Sequence, residues 1–194
     1  MEVSDNGNGS LMRILPLLVY IRDKKLVDRY QITKQVSSIT HGHIRYVIAC
    51  FYYIEFARQI IIGIDKFEIY KNLQTEITSH LISLSINPEE IKLFNRLLKG
   101  NIYDLIEKEI FSSGYVLHTL EASIFFLFTT DNYKSAILKA VNLGEDTDTT
   151  GAVTGGLAGL LYGYKTLPES WLKQIARRED IEDLADRLRD FASR

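Results

Sequence analysis

Residues 143–151 read Leu-Gly-Glu-Asp-Thr-Asp-Thr-Thr-Gly, which sets the carboxylates of Glu145, Asp146 and Asp148 among the hydroxyls of Thr147, Thr149 and Thr150, directly ahead of an apolar run. Two carboxylates about 4 Å apart repel by roughly 1 kcal/mol in water and by about 4 kcal/mol at the effective dielectric near a protein surface. A helix N-terminus offsets only about 0.3–1 kcal/mol per anion. If the cluster is partly buried, it calls for a cation. Oxygen donors with no cysteine or histidine beside them select a hard ion, Mg²⁺ first and Mn²⁺ second. Asp146 and Asp148 would be its carboxylate ligands and Thr149 a hydroxyl ligand. A solvated acidic helix start would use the same residues without any metal, and spacing alone leaves the two readings level. A calcium loop counted from Asp146 fails, because its twelfth position is Leu157 where a bidentate glutamate is required.

Behind the acids, Gly151, Gly155, Gly159 and Gly163 recur every four residues beside Ala152, Gly156 and Ala158, leaving one helix face almost bare. Each helical glycine costs about 0.8–1.0 kcal/mol relative to alanine, on the order of 3–4 kcal/mol for four. That is a large share of a typical stability of roughly 5–15 kcal/mol. Something must approach this backbone closely, and a packed helix is the expected occupant more than a ligand.

Two further segments carry polar chemistry. Residues 5–13 read Asp-Asn-Gly-Asn-Gly-Ser-Leu-Met-Arg. Paired Asn-Gly steps make left-handed backbone easy, and Ser10 is placed to cap a following helix. Backbone N–H groups converging there would suit a pyrophosphate, although such turns also occur with no ligand. Residues 37–43 read Ser-Ser-Ile-Thr-His-Gly-His; His41 is placed to touch a ligand ring or phosphate, or is an ordinary histidine at a helix start. His80 and His118 show no partner in the sequence, and Cys50, on an apolar stretch, reads as core.

The elements that must position these residues are helical. Ile181, Leu184, Ala185, Leu188, Phe191 and Ala192 repeat at three and four with charges between them; Leu73, Ile77 and Leu81 mark a second stripe. Ile102, Leu105, Ile106 and Ile110 predict another amphipathic helix, and the stretch 44–54 is apolar nearly all round, as befits a central helix. Pro88 and Pro168 are expected at first helical positions, whereas Pro16 should break a helix running from Ser10 towards Ile21. The run 60–64 is the one strand-like piece, and a helix end capped by Gly63 explains it equally well. The expectation is an all-α fold, a single compact domain over residues 1–194 with roughly eight or nine helices.

Bulk properties agree. A chain of 194 residues with 46% hydrophobic positions should bury about 70% of its unfolded surface in one core. Lys+Arg 23 against Asp+Glu 25 leaves a net charge of -2, which excludes the broad basic field of a nucleic-acid binder. One cysteine allows no internal disulfide and no thiolate metal cluster. The N-terminus has no secretory pattern, and the apolar run 151–164 is too short to span a membrane. A soluble cytoplasmic protein with no membrane partner is expected.

Taken together, Asn-Gly-Asn-Gly-Ser-Leu-Met-Arg, Ile-Thr-His-Gly-His and Gly-Glu-Asp-Thr-Asp-Thr-Thr-Gly-Ala-Val-Thr-Gly-Gly-Leu-Ala-Gly resemble the ADP-ribosylglycohydrolase family, over nearly the whole chain. The resemblance implies an all-α fold holding two Mg²⁺ ions in a cleft where ADP-ribose is released from a modified side chain. It implies Asp146, Asp148 and Thr149 as metal ligands, Asn8, Gly9 and Ser10 beside the ADP-ribose phosphates and ribose, and His41 near the adenosine end. Metals would orient ribose hydroxyls and a water while glycosidic cleavage passes through an oxocarbenium-like state.

Family members carry a further N-terminal segment with a Thr-Asp-Asp metal motif and the catalytic acid. Here Met1 stands almost at the Asn-Gly loop, and the nearest match, Thr130-Asp131, is followed by Asn132. The expectation is an N-terminally truncated family domain with half the metal site, reduced metal affinity and no assigned catalytic residue. A complementary N-terminal polypeptide is then an expected partner beside the ADP-ribosylated substrate. The alternatives are a non-catalytic ADP-ribose-binding module and a structural module that depends on a partner.

Overall fold

The computed structural model of the chain describes residues 7–192; Asp5 and Asn6 of the Asn-Gly segment lie outside the described residues. In chain order its α-helices are α1 (Leu17–Ile21), α2 (Leu26–Ser38), α3 (Ile44–Ile61), α4 (Lys66–Ser83), α5 (Pro88–Lys92), α6 (Asn95–Leu98), α7 (Val116–Phe128), α8 (Tyr133–Asn142), α9 (Thr147–Tyr162), α10 (Glu169–Leu172) and α11 (Arg178–Ala192). Among the described residues, β pairing is confined to one antiparallel bridge between Gly7 and Tyr115. The all-α reading holds, with more helices than periodicity suggests because α1, α5, α6 and α10 are single turns too short to show a stripe.

Helix α3 is central because its sequence leaves it no polar face. Phe51, Tyr52, Ile54 and Phe56 are fully buried, and α2, α4, α7 and α9 pack around them. Burying each large apolar side chain contributes roughly 1.5–3 kcal/mol. One acid interrupts the apolar run: Glu55 is buried and takes a bidentate pair from Arg29 of α2, Nε to Oε1 at 2.6 Å and Nη2 to Oε2 at 2.6 Å. A buried carboxylate without such a partner would be strongly unfavourable.

The helix boundaries follow local chemistry. Pro16 separates a 3-10 turn (Leu11–Arg13) from α1, as expected of a residue with no backbone N–H. Pro88 opens α5 under Asn87, whose side chain accepts from the Glu89 N–H. Pro168 sits one place earlier than expected, as the cap of α10. The run 60–64 is the end of α3, closed by Gly63 at φ 83, and not a strand.

The helix expected over 102–110 does not form. Ile102–Asp104 and Glu107–Glu109 are separate 3-10 turns joined by extended residues. Tertiary contacts override the periodicity: the Ile102 N–H donates to the Tyr70 hydroxyl at 3.1 Å, Tyr103 stacks on Phe128 with centroids 5.0 Å apart, and Arg96 bonds the Glu109 carbonyl at 2.8 Å. Ile102 and Ile110 are buried, but Ile106 faces solvent.

Three glycines of α9 lie against neighbouring side chains. A Cβ at Gly151 would lie 2.9 Å from Val141 Cγ1, one at Gly155 3.3 Å from Ile137 Cδ1, and one at Gly156 2.6 Å from Leu15 Cδ2. The bare surface is what lets α8 and α3 lie close, with the Tyr53 hydroxyl reaching the Val153 carbonyl at 2.9 Å. Helix α11 forms as its periodicity predicts, but Ile181, Leu184 and Phe191 are exposed and the helix touches the body through α1.

Candidate functional site

The acidic turn is shaped by backbone before any side chain acts. Gly144 at φ 86 and Glu145 at φ 54 take the left-handed conformation and swing Asp146 to the head of α9. The turn is tied to the segment before α7, since the Asp146 N–H donates to the Ser112 carbonyl at 2.9 Å and the Ser112 hydroxyl donates to the Gly144 carbonyl at 2.5 Å. Gly114 leaves room beside the carboxylate: a Cβ there would lie 3.7 Å from Asp146 Oδ2.

The N-terminal loop arrives from the other end of the chain. Held by the Gly7–Tyr115 bridge, buried Asn8 directs its amide N–H groups to Thr119 Oγ1 at 2.8 Å and to Asp146 Oδ2 at 2.6 Å. Behind it, Met12 Sδ stands 4.0 Å from the hydroxyl of buried Thr149. Burial raises the affinity of the Asp146 carboxyl for a proton, but hydrogen bonds from Asn8 and Thr149 and the adjacent Asp148 side chain outweigh it and hold Asp146 below the usual range. Asp146 is therefore an anion at neutral pH. Asp148 is exposed in the first turn of α9, and the Thr150 hydroxyl is buried without a partner among the described residues.

His41 joins the same locus. Its ring lies so close to Gly9 that a Cβ there would be 2.8 Å from Cε1. Thr40 Oγ1 meets His41 Nδ1 at 2.6 Å and accepts from Arg13 Nη2 at 2.6 Å, while Tyr46 packs edge-on with centroids 4.9 Å apart. Burial, followed by the Arg13 charge, lowers the His41 pKa, so the ring is neutral near pH 7.

The structure thus gathers Asn8, Gly9, His41, Asp146 and Thr149, with Asp148 at the edge. Ser10 differs from expectation. It makes no capping bond; it is fully buried and accepts from the Cys50 thiol at 3.6 Å. The loop leads into one 3-10 turn instead of a long helix, and the Met12 N–H is taken by the Asn8 carbonyl at 3.2 Å. Cys50 is core, with burial pushing its thiol to about 11. His43, not His41, caps α3 by accepting from the Arg45 N–H at 3.3 Å.

Sequence reasoning missed Thr119, Ser112 and Gly114. The signal for Thr119 was visible: Thr119, Glu121 and Ser123 are polar residues inside the apolar α7, and all three are buried. Glu121 pairs with Arg96 at 2.8 Å, yet burial outweighs that pairing and raises its carboxyl to about 7.

The donors of the acidic turn are all oxygen, two carboxylates and a hydroxyl, a set suited to Mg²⁺ or Mn²⁺. Among the described residues, no three His, Cys, Asp or Glu side chains gather as a metal cage.

A helical body with an oxygen-rich turn facing an Asn-Gly loop defines the class, and the comparisons agree: the ADP-ribosylglycohydrolase family model matches residues 2–193, and the chain belongs to that family. It is 32% identical over 187 residues to the ADP-ribosylarginine hydrolase Tri1 of Serratia proteamaculans, covering 96% of this chain and 47% of that protein. Tri1 of Pseudomonas putida is 32% identical over 191 residues, 98% of this chain and 48% of that protein. A solved structure described as an ADP-ribosylglycohydrolase-related protein complex superimposes with a TM-score of 0.80 at 27% identity, over 96% of this chain and 61% of that one. The chain spans about half the length of the curated relatives it matches first.

Proposed function

We propose that this chain forms the nucleotide-facing half of a Mg²⁺-dependent hydrolase that removes ADP-ribose from modified arginine, acting within a longer chain or beside a complementary N-terminal polypeptide. The observation that carries the reading is the 2.6 Å bond between Asn8 and Asp146, which ties the loop to the acidic turn. The names of the two Tri1 relatives support arginine as the modified residue.

In this reading Asp146, Asp148 and Thr149 hold the metal, and Mn²⁺ is the second choice. When bound, the ion would supply Lewis acidity and orientation for ribose hydroxyls and water. Asn8 fixes the Oδ2 atom of Asp146. The Gly9 backbone, bare of a side chain, lets the neutral His41 ring pack against it, and that ring would offer a face to a base or ribose. Ser10 acts from beneath by holding the loop to Cys50. The buried free thiol suits a reducing, cytoplasmic setting. Among the described residues, no helix is long and apolar enough to cross a membrane.

Calorimetry with ADP-ribose and Mg²⁺, together with mass-spectrometric release of ADP-ribose from an ADP-ribosylarginine peptide, tests the proposal. Mg²⁺-dependent release that is lost in Asp146→Ala with Asp148→Ala is the expected result. Equal release by that variant overturns it, and tight ADP-ribose binding with no release in any context favours a non-catalytic binding module.

A further inference from the structure

Arg13 closes the Asn-Gly segment and is the one cation among residues 5–13. Its partners differ from those of the arginines on the helical body. Arg29, Arg45 and Arg96 each meet a carboxylate, at 2.6, 2.6 and 2.8 Å, whereas Arg13 forms no ion pair among the described residues. Although exposed, it is held in place: Nη2 donates to Thr40 Oγ1 at 2.6 Å, and the same oxygen stands 2.6 Å from His41 Nδ1. One hydroxyl bond is a small return for ordering a long cationic side chain, and it leaves most of the guanidinium N–H donors unused.

The direction of each bond follows from what its partners can give. A guanidinium only donates, so Thr40 Oγ1 accepts from Arg13, and its own proton meets no acceptor among the described residues other than His41 Nδ1. The ring is neutral, and a neutral imidazole that accepts at Nδ1 carries its proton on Nε2. That nitrogen lies beside the loop, 3.1 Å from where a Cβ at Gly9 would stand and 4.0 Å from one at Gly7, and it makes no hydrogen bond among the described residues. Asn8 ties the loop to a turn that carries Glu145, Asp146 and Asp148, so an anionic ligand in this locus needs positive charge from the loop side. We infer that Arg13 binds the diphosphate of the ligand, and that Thr40 is a positioning residue that aims the guanidinium and holds His41 Nδ1 as an acceptor, leaving Nε2–H as a second donor to the same group. The inference rests on the hydrolase reading above for the identity of the nucleotide; the fit of a planar guanidinium fork to phosphate oxygens is general.

The test is calorimetry of the intact chain in Mg²⁺ buffer with ADP-ribose, ADP and adenosine, read beside the His41 ring signals in a two-bond ¹H–¹⁵N spectrum near neutral pH. Arg13→Gln is expected to weaken ADP-ribose and ADP about tenfold while adenosine, which has no phosphate, binds as before. Arg13→Lys, which keeps the charge without the fork, should recover part of the loss. In the parent chain the ring signals should show Nε2 protonated and Nδ1 bare; Thr40→Val should blend the two and weaken ADP-ribose, and Thr40→Ser should restore both. Arg13 and Thr40 are exposed, so circular dichroism should show every variant folded. Parental ADP-ribose affinity in Arg13→Gln, an equal loss for adenosine, a ring protonated on Nδ1, or no heat with ADP-ribose or ADP at millimolar concentration would each overturn the inference. The hydrolase reading fails separately: binding that depends on Arg13 with no release in any context removes that reading and leaves this one standing, whereas release with binding indifferent to Arg13 does the reverse.

Discussion

Asn8 and Asp146, 138 positions apart in sequence, meet at 2.6 Å, and the same Asn8 amide also reaches Thr119 at 2.8 Å. One short side chain thus joins the N-terminal loop, α7 and the head of α9. Hydrogen bonds to a charged acceptor contribute about 1.5–3 kcal/mol, and the partners left behind are costly to bury alone. Asn8→Ala is therefore expected to lower stability by about 1–3 kcal/mol in urea unfolding. It should also raise the Asp146 pKa, since a bond to the charged form is lost, which a carboxylate-resolved NMR titration reads directly.

Glycines of α9 should respond in opposite directions to the same substitution. At Gly156 an alanine methyl would press on the Tyr53 hydroxyl, fixed by its bond to Val153, and on Leu15. Overpacking should outweigh the helical gain of about 1 kcal/mol, leaving Gly156→Ala destabilised by about 1–3 kcal/mol. At Gly159 the nearest atom, Tyr133 Cε2, would be 3.9 Å away, an ordinary contact. Gly159→Ala should raise the melting temperature through a gain of up to about 1 kcal/mol.

Glu55→Ala should be the most damaging of these changes. It strands the Arg29 guanidinium, 7% exposed, inside the contact between α2 and α3. Breaking one side of a buried pair costs about 3–5 kcal/mol. Chemical unfolding is expected to show a midpoint shift of that size, and Arg29→Met with Glu55→Leu should recover much of it by removing both charges.

Glu121 predicts a pH dependence. Its pKa rises on folding from 4.5 to about 7, mainly through burial, so the folded state holds its proton more tightly than the unfolded chain. The stability it contributes is fully present below about pH 4.5 and is lost as pH rises towards 7, by about 3 kcal/mol in total. Urea midpoints measured between pH 4.5 and 7.5 should fall less steeply in Glu121→Gln than in the parent, and identical slopes would show that Arg96 keeps the carboxylate charged throughout.

Much of this architecture was legible in residue patterns, for identifiable reasons. Helix α3 is apolar all round and α11 strictly periodic, so each announces itself locally. The segment 102–110 carries an equally good stripe and still forms no helix, because Tyr70, Phe128 and Arg96, distant in sequence, hold it otherwise. At the site, the acids and the Asn-Gly loop stood out by composition. Ser112 and Gly114 did not, since their roles exist only once the segment before α7 lies beside Asp146. Ser10 was misjudged because a residue suited to capping was taken up by Cys50, a contact no local rule anticipates.

The Gly7–Tyr115 bridge and the Asn8 contacts close loops of more than a hundred residues, and contacts that distant in sequence slow folding. A nascent chain emerging from the ribosome cannot make the Asn8–Asp146 contact until Asp146 is out. Any compound that prefers the finished arrangement then fastens the chain's opposite ends together, and heat must work against its affinity as well as against the fold.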